Sequence, residues 1–287
     1  MTVGILYESQ EWSSTALRDY ILEKGVEAEL LDLEKELELA EIFKHNLLLN
    51  RVFASAQFRG HTRSLKVIQE LLPRIKAAGI ELINPAPAHY YEISKYRTTQ
   101  KLISEGIPSP EIYCRFKGSE APSFNQIKYP CVLKPDCGGR TNYTYILENK
   151  EELENALNEI KNCHFDFIIQ RYIPTSRGFT TRIEIIDHSC YSIMKRYVTE
   201  GGLASYNLGS QYEEYQECSP EIRDTALKAA RILKIEMGSM DIIENGEKYY
   251  IIDVNSVSNF AEENIEMFGF NLIKDMASYV VSRYRNL

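Results

Sequence analysis

Several features that mark large classes of protein are missing from this sequence of 287 residues. No uncharged apolar stretch of about eighteen residues occurs, and the chain does not open with basic residues followed by a long apolar run. The sequence therefore predicts neither a membrane span nor a secretion signal. A formal net charge of −8 argues against nucleic acid or a membrane as a partner, because both attract clustered Lys and Arg. We expect a cytoplasmic protein.

Cysteine patterns typical of disulfides or of metal sites are also missing. The sequence has no C-x-x-C, and its cysteines do not cluster with its five histidines. Free thiols that pack as small apolar side chains are the expected state. Cys137 lies in a glycine-rich segment and is the one candidate for a reactive thiol. The six cysteines are Cys114, Cys131, Cys137, Cys163, Cys190 and Cys218.

What is present begins with a regular alternation of short apolar runs and helical apolar stripes. The runs at 3–7 and 28–33, with a helical pattern between them, predict a βαβ unit and a parallel sheet. Further strands are predicted at 46–53 and 80–84, with a helix around 65–75 between them. We predict a small doubly wound α/β domain. It has no G-x-G-x-x-G after the first run, so a dinucleotide site there is not expected.

A basic loop, residues 51–63, follows the third predicted strand. It contains Arg51, Arg59, Arg63 and His61 at the carboxyl end of a strand, where open α/β sheets place their ligands. The planar arginine side chain matches carboxylate or phosphate groups. We interpret Arg51 and Arg59 as contacts to an anionic substrate, and the alternative is a solvated surface role.

Two apolar runs near the C-terminus, 238–243 and 251–255, flank an Asn-Gly pair and predict a β-hairpin. Residues two apart in a strand share a face, so Asp253 and Asn255 point the same way, and pairing brings Asp241 near them. Two carboxylates and an amide oxygen suit Mg²⁺ that also keeps water and nucleotide phosphates in its shell. The alternative is a hairpin with polar strand ends, but burying Asp-x-Asn without a ligand is costly.

A lysine, Lys134, interrupts the otherwise apolar strand predicted over 129–135. A buried lysine rarely lacks a partner. The glycine-rich segment 136–142 follows, and its backbone N–H groups are suited to enclose phosphates. Lysine and loop together predict an anion clamp, with a flexible hairpin as an equal alternative. The loop is not a Walker motif, because no Gly-Lys-Thr/Ser follows.

The remaining patterns predict ordinary helices and strands and one long loop. The loop, residues 199–215, contains three glycines and has the length of a functional loop in a compact domain. We expect it to become ordered when substrate binds. Helices are predicted over 90–105, 151–160, 221–233 and 271–284, and strands over 111–116, 143–147, 165–173, 177–187 and 189–197.

Taken in chain order, the polar residues of these elements resemble those of ATP-grasp enzymes of the RimK/LysX type. The resemblance covers nearly the whole chain, and it extends to the loop Arg51-x-x-Ala54-Ser55 and the phrase Ile83-Asn84-Pro85 in the first 88 residues. The residues that carry it are Lys95, Lys134, the run 168–173, Arg182, Lys195, Arg196, Asn207, Asp241, Asp253 and Asn255.

The resemblance implies an ATP-grasp fold of the α/β class, with α+β lobes. It divides the chain into a doubly wound parallel-sheet domain over 1–88, a central lobe over 89–174 and a C-terminal lobe over 175–287. ATP is then expected between the two lobes.

The resemblance also implies a role for individual residues. Arg182, Arg196 and Asn207 take catalytic positions, where they hold phosphates or the acceptor carboxylate. The metal, Mg²⁺ or Mn²⁺ in its place, lies on Asp241, Asp253 and Asn255. The cofactor-binding set is Lys95, Lys134, Gly138, Gly139, Gln170, Arg171, Tyr172, Ile173 and Lys195, with 170–173 as the hinge against adenine; the substrate-binding set is Arg51, Ser55 and Arg59.

Four positions depart from the family pattern. Asp253 stands where the family has Glu, and Arg171 replaces the hinge acid. Thr180 replaces an Asp two residues before Arg182, and Ser-Val-Ser-Asn at 256–259 replaces a small-Pro-Gly segment. The changes cluster at hinge and substrate positions, so they indicate a divergent substrate rather than an inactive enzyme.

The activity that the resemblance implies is ADP-forming ligation of a carboxylate to an amine through an acyl phosphate. The expected substrates are an amino acid, a peptide or a small metabolite, and a homo-oligomer is compatible with the sequence. This chemistry depends on positioning and charge neutralisation and needs no protein nucleophile. Two alternatives remain: an ATP-grasp kinase acting on a small-molecule hydroxyl, and a nucleotide-binding module without turnover.

Overall fold

The fold is known from a computed structural model that describes residues 2–8, 11–120, 122–258 and 260–287. In these ranges the chain forms one parallel and two antiparallel sheets, with helices packed against them. The mixture of helices with parallel and antiparallel strands confirms the predicted α/β class. Asn259, the last residue of the segment that departs from the family pattern, lies outside the described ranges.

The first sheet is parallel and has the strand order β2-β1-β3-β4. Alternate residues of its strands face opposite sides, so Val3 and Ile5 join a core with the first helix while Leu6 packs against the third helix. Helices therefore cover both faces, as predicted for a doubly wound sheet. The elements are β1 (Val3–Tyr7), α1 (Trp12–Glu23), β2 (Ala28–Asp32), α2 (Leu39–Phe43), β3 (Leu47–Asn50), α3 (Thr62–Ala77) and β4 (Glu81–Ile83).

The helix predicted over 90–105 is two helices, α4 (Ala86–Glu92) and α5 (Lys95–Ser104). Ser94 causes the break: its backbone is extended and its hydroxyl accepts a hydrogen bond from the Arg97 amide, which caps α5. The capped break places Lys95 at the first turn of a new helix.

The second sheet is antiparallel, with the order β5-β8-β6-β7 and one covering helix. Leu133 of its central strand packs on Leu153 and Ile160 of that helix. The opposite face is thereby left for the cavity described below. The elements are β5 (Ile112–Lys117), β6 (Cys131–Pro135), β7 (Tyr145–Leu147), α6 (Lys150–Ile160) and β8 (Asp166–Arg171).

The third sheet is also antiparallel, with the order β11-β10-β9-β12-β13. Its last two strands are the hairpin predicted from the Asn-Gly pair. The segment 199–215, predicted as wholly irregular, contains a 3₁₀ turn and the edge strand β11, which forms because it pairs with β10. The elements are β9 (Phe179–Ile186), β10 (Ser189–Tyr197), β11 (Tyr212–Glu214), α7 (Pro220–Leu233), β12 (Met237–Asn245), β13 (Lys248–Asn255), α8 (Glu263–Phe268) and α9 (Leu272–Arg285).

The C-terminal helix returns to the first sheet. Met276 and Val280 of α9 share a core with Leu17 of α1 and Ile5 of β1. Asn84 makes a second connection: its side chain donates to the carbonyls of Met237 and Ser256 and accepts from the Glu236 and Met237 amides. The first sheet thus supports the hairpin directly.

The described helices and cysteines bear on two further predictions. None of these helices is both long and apolar enough to cross a membrane. The cysteines are free, as predicted. Cys137 is not suited to thiolate chemistry, because burial raises the pKa of its thiol to about 12.

A buried histidine, His89 on α4, predicts acid sensitivity of the fold. Burial lowers its pKa from 6.5 to about 4, and Asn50 contacts its Nδ1 at 3.2 Å. Between these values the unfolded chain binds a proton that the folded chain does not, so stability falls as pH falls from 6.5 towards 4. We expect a loss of about 2 kcal/mol between pH 7 and pH 5, measured by urea denaturation.

The matched comparison is His89→Gln, which keeps a polar side chain but does not titrate. It should flatten the stability profile between pH 7 and pH 5. The same change at exposed His164 should leave the profile as in the wild type. Equal pH profiles for wild type and His89→Gln would contradict the assignment.

Candidate nucleotide and metal site

A cavity of about 310 Å³ lies between the second and third sheets. Its walls come from β6, the end of β8, β9, β10 and the β12–β13 hairpin, with contributions from neighbouring loops. The cavity brings together predicted residues that are up to 200 positions apart in the chain. These are Ser55, Lys95, Lys134, Gly138, Gly139, Gln170, Arg171, Tyr172, Ile173, Arg182, Arg196, Asn207, Asp241, Asp253 and Asn255.

The predicted metal ligands meet on the hairpin. Asp241 of β12 lies directly opposite Asp253 of β13, and Asn255 follows two residues later on the same face. Asp241 is buried, whereas Asp253 and Asn255 are partly exposed to the cavity. In the described ranges no three His, Cys, Asp or Glu side chains form a metal cluster. The predicted donor set consists of two carboxylates and one amide. Such a set fits Mg²⁺ that takes its other oxygens from phosphates and water.

Both carboxylates are ion-paired with cations. Lys95 Nζ lies 2.6 Å from Asp253 Oδ1, and Arg196 Nη2 lies 2.7 Å from Asp241 Oδ2. Burial alone would raise the pKa of Asp241, but Arg196 and Arg182 outweigh it and hold the pKa below its usual value. Likewise, burial opposes the charge on Lys95, but Asp253 raises its pKa. Cations suited to phosphates therefore already surround the ligand positions.

Lys134 is a further cation of the cavity, and burial disfavours its charged form. It is buried, and its Nζ donates to the carbonyl of Ile252 at 3.0 Å. Burial lowers the pKa of Lys134 to about 8, although Asp253 acts in the opposite direction. A phosphate near Nζ would favour the charged form, so this position suits an anionic ligand.

Asp136 orients Lys95, and the sequence did not reveal this role. Its carboxylate is buried and accepts from Ser94 Oγ at 2.9 Å, the Tyr96 amide at 2.7 Å and Arg115 Nε at 2.9 Å. Its carbonyl accepts from the Lys95 amide at 2.9 Å. Since Asp136 begins the glycine-rich segment, these hydrogen bonds connect the loop to the start of α5.

The glycine-rich loop packs against Phe58, in the segment that follows β3. Gly138 has φ +153°, and a Cβ at this position would lie 2.3 Å from Cε2 of Phe58. Phe58 in turn packs on the rings of Tyr143 and Phe165. The loop can approach this aromatic cluster only because residue 138 has no side chain.

We expect Gly138→Ala to lower the free energy of unfolding by about 2 kcal/mol, from backbone strain and the clash with Phe58. Chemical denaturation measures the effect. Gly139→Ala is the matched control, because its Cβ would lie 3.5 Å from Ser55 Cβ, an ordinary contact. Adding Phe58→Leu to Gly138→Ala should restore part of the loss, and no restoration would exclude the clash as its cause.

The predicted hinge borders the cavity at the end of β8. Gln170 and Ile173 are buried, while Arg171 is exposed. The Tyr172 amide donates to the carbonyl of Pro130 at 3.4 Å, which ties the segment to the second sheet. The apolar side chain of Ile173 and backbone groups of the predicted hinge thus line this end of the cavity.

Arg182 is the centre of a polar network beside Asp241. Its guanidinium donates to Glu184 at 2.7 Å, Ser239 Oγ at 2.8 Å and Ser258 Oγ at 3.0 Å, and lies 3.4 Å from Asp241. Ser258 also donates to Glu184. Ser258 belongs to the segment that departs from the family pattern, so this departure supports Arg182.

The comparison with known families settles the relationship. A RimK-like ATP-grasp domain matches residues 93–280. The chain belongs to this family. The match includes the hinge, Arg182 and all three predicted metal ligands.

Curated relatives of this RimK-like chain are named as ligases. A probable alpha-L-glutamate ligase of Desulfotalea psychrophila is 25% identical over 73% of this chain, and one of Pasteurella multocida is 22% identical over 79%. A coenzyme gamma-F420-2:alpha-L-glutamate ligase of Methanococcus maripaludis is 25% identical over 83%. The matches span 44%, 72% and 86% of the relatives' own lengths, so the first relative is much longer than its matched region.

Solved structures share the fold over the whole length of the RimK-like chain. A D-alanine–D-alanine ligase from Bacillus anthracis has a TM-score of 0.73 at 17% identity, covering 100% of this chain and 99% of its own. A RimK domain ATP-grasp protein from Sphaerobacter thermophilus has a TM-score of 0.71 at 19% identity, covering 97% and 99%. The ligase PsnB with minimal precursor, Mg and ADP has a TM-score of 0.69 at 15% identity, covering 99% and 98%. The predicted ATP-grasp fold is confirmed.

Three predicted residues of the RimK-like chain lie outside the cavity. Lys195 faces away because its neighbour Arg196 faces in, and its Nζ pairs with Glu213 at 2.7 Å. Arg51 is buried and donates to the Ser258 carbonyl and Ser13 Oγ. Arg59 pairs with two acids of the first domain, Glu8 and Glu11. The structure therefore gives no support to cofactor or substrate contacts by these three side chains.

Other cavity residues escaped the sequence analysis. Glu92 is buried and accepts hydrogen bonds from the Ala54 and Ser256 amides, so it joins the basic loop to the segment after the hairpin. Burial raises its pKa against the effect of these two amides. Glu184 follows Arg182 by two residues on the same strand face, and this spacing alone would have indicated their contact.

Proposed function

We propose that the chain is an ATP- and Mg²⁺-dependent ligase that joins a carboxylate to an amine with formation of ADP. One observation carries the proposal: Lys95, Lys134, Asp241, Asp253 and Asn255 converge in one cavity. Family membership and the names of the relatives support the same class of reaction. We propose an amino acid, a peptide or another small molecule as substrate.

Each end of the cavity has a separate role in this proposal. The base lies against Tyr172 and Ile173, and the phosphates extend towards Lys95 and Lys134. Asp241, Asp253 and Asn255 hold the metal, for which Mn²⁺ can substitute. The ion would neutralise phosphate charge during transfer.

The chain's own cations position the reacting groups. Arg182 and Arg196 lie beside Asp241 and are suited to hold the substrate carboxylate near the terminal phosphate. Arg196 Nε is buried without a hydrogen-bond partner among the described residues, which leaves one donor for a ligand. Asn207 reaches the same cavity from the segment 199–215, which we propose becomes more ordered on binding.

The proposed reaction has two steps. A carboxylate oxygen attacks the terminal phosphorus, and the bond from that phosphorus to the ADP oxygen breaks. The amine nitrogen then attacks the acyl carbon of the acyl phosphate, phosphate leaves, and the nitrogen loses a proton to water. Positioning and charge neutralisation are the main contributions required of the protein.

The other predictions from the sequence remain part of the proposal. We propose the division at 1–88, 89–174 and 175–287, a cytoplasmic location, a homo-oligomer as an assembly to be tested, and no nucleic-acid or membrane partner. Because α9 packs on the first sheet, the first and last parts should unfold together.

The test measures ADP, phosphate and amide product while acids and amines from an amino-acid panel are supplied singly and in pairs. A ligase requires both substrates and yields ADP, phosphate and the amide in equal amounts. A stable phosphorylated product without an amine requirement would indicate a kinase. ATP binding without ADP formation by any pair would leave only a binding module.

A further inference from the structure

One side of the cavity is an aromatic wall, formed by Phe260, Phe268, Phe270 and Tyr212. The ring centroids of Phe268 lie 5.5 Å from Tyr212, 5.7 Å from Phe270 and 6.0 Å from Phe260. Phe260 is buried, and the other three are partly exposed. The wall therefore presents ring surface to the cavity in addition to packing on the core behind it.

Phe270 of the aromatic wall lies at the end of the cavity opposite the hinge. Near the hinge, Asn245 donates to the Pro174 carbonyl at 2.7 Å, so the tip of the β12–β13 hairpin marks that end. Along β9, Thr180 comes first, then Arg182, then Glu184, over about 13 Å of extended strand. Tyr191, next to the register partner of Glu184, packs on Phe270 at 5.4 Å. Phe270 thus lies beyond Arg182, on the side away from the proposed nucleotide, whereas Tyr212 lies level with Thr180 through its pairing with Arg196.

The segments that carry the wall contain acidic residues but no basic ones. The sequence has no Lys or Arg in 257–273 or in 199–212, the two segments that carry the wall and its rim. Glu262, Glu263 and Glu266 are exposed around α8. Arg182 is paired with Glu184, and Arg196 is paired with Asp241. Arg196 also lies opposite Tyr212, and its Nε has no hydrogen-bond partner among the described residues.

We infer that the aromatic wall binds a large apolar or aromatic side chain of one of the two ligated substrates. This inference rests on the proposed ligase function and names the substrate class. The four rings carry no charge, so they cannot replace the water that a glutamate side chain would lose on entering between them. A phenylalanine, tyrosine or leucine side chain gains apolar contact and ring stacking there. The class differs from the glutamate in the names of the curated relatives.

The test compares L-phenylalanine, L-tyrosine and L-leucine with L-glutamate and L-aspartate, each paired with every other amino acid, by ADP release. We expect kcat/KM at least about 10-fold higher for the apolar group, the discrimination available to a hydrophobic pocket. Phe268→Ala should raise the KM for the apolar substrate about 10-fold while leaving the KM for ATP unchanged. Met267→Ala, an exposed neighbour on α8 outside the cavity, is the matched control and should behave as wild type.

Phe268→Arg supplies the cation that the wall lacks and should shift the preference towards glutamate. A wild-type preference for glutamate, or equal effects of Phe268→Ala and Met267→Ala, would overturn the inference. Calorimetric binding of L-phenylalanine and L-glutamate to the complex with a non-hydrolysable ATP analogue separates the two proposals. Selective phenylalanine binding without turnover of any pair refutes the ligase reaction but supports the wall, and selective glutamate binding refutes the wall alone.

Discussion

Replacing Asp253 with Asn is expected to lower the rate of amine-dependent ADP formation by about 100-fold or more. The change removes one negative charge from the proposed metal position but keeps the size of the side chain. It also removes the ion pair with Lys95, whose Nζ lies 2.6 Å from the carboxylate. The rate should be measured over a range of Mg²⁺ concentrations, because weaker metal binding raises the concentration needed for half-maximal activity.

Asp187→Asn is the matched control for this change. Asp187 is exposed in the turn between β9 and β10 and has φ +52°, a conformation that Asn accepts readily. It should leave both rate and metal dependence unchanged. Full activity of Asp253→Asn at low Mg²⁺ would show that Asp253 does not hold the metal. Other groups would then have to neutralise the phosphate charge.

Replacing Arg182 with Met is expected to lower the free energy of unfolding by about 3 kcal/mol and to abolish measurable ligation. The guanidinium is only 15% exposed and contacts Glu184, Ser239, Ser258 and Asp241. Its removal leaves the buried carboxylate of Glu184 without its ion-pair partner and Asp241 paired with Arg196 alone. An unpaired buried charge costs more than the pair contributes. Urea denaturation and ADP release measure the two effects.

The control for Arg182 is Arg231→Met on the exposed face of α7, which should change stability by less than about 0.5 kcal/mol. Adding Glu184→Gln to Arg182→Met should recover part of the stability, because it removes the carboxylate charge that lost its partner Arg182. It should not recover ligation, since the proposed carboxylate contact is still missing. Recovery of both stability and ligation would show that Arg182 has a purely structural role.

The polar residues on one strand face were the easiest part of the cavity to predict. Asp253 and Asn255 are two residues apart, and an Asn-Gly turn brings Asp241 opposite Asp253, so strand periodicity and turn chemistry were sufficient. The break at Ser94 was missed because the helical pattern continues through it, and only the capping hydrogen bond reveals it. Lys195 was placed in the cofactor-binding set and Arg196 in the catalytic set, but adjacent strand residues face opposite sides and only Arg196 lines the cavity.

Other contacts could not be predicted because they involve residues distant in the sequence. Arg51 and Arg59 stand in a loop that commonly binds ligands, yet their partners are Ser258, Glu8 and Glu11. The role of Glu92 depends on the Ser256 amide, 164 positions away. Local sequence carries no information about such contacts.

Local periodicity, turn residues and residue order were therefore enough to predict the α/β class, the hairpin, the convergence of Asp241, Asp253 and Asn255 on it, and the buried lysine before the glycine loop. The order of strands in the sheets and the return of α9 to the first sheet settled which cations face the cavity and which are used in internal ion pairs. They also brought the four rings of the aromatic wall together on the cavity. The physical reason is range: backbone geometry is set by near neighbours, whereas burial, pairing of charges and cavity shape depend on residues that only folding brings into contact.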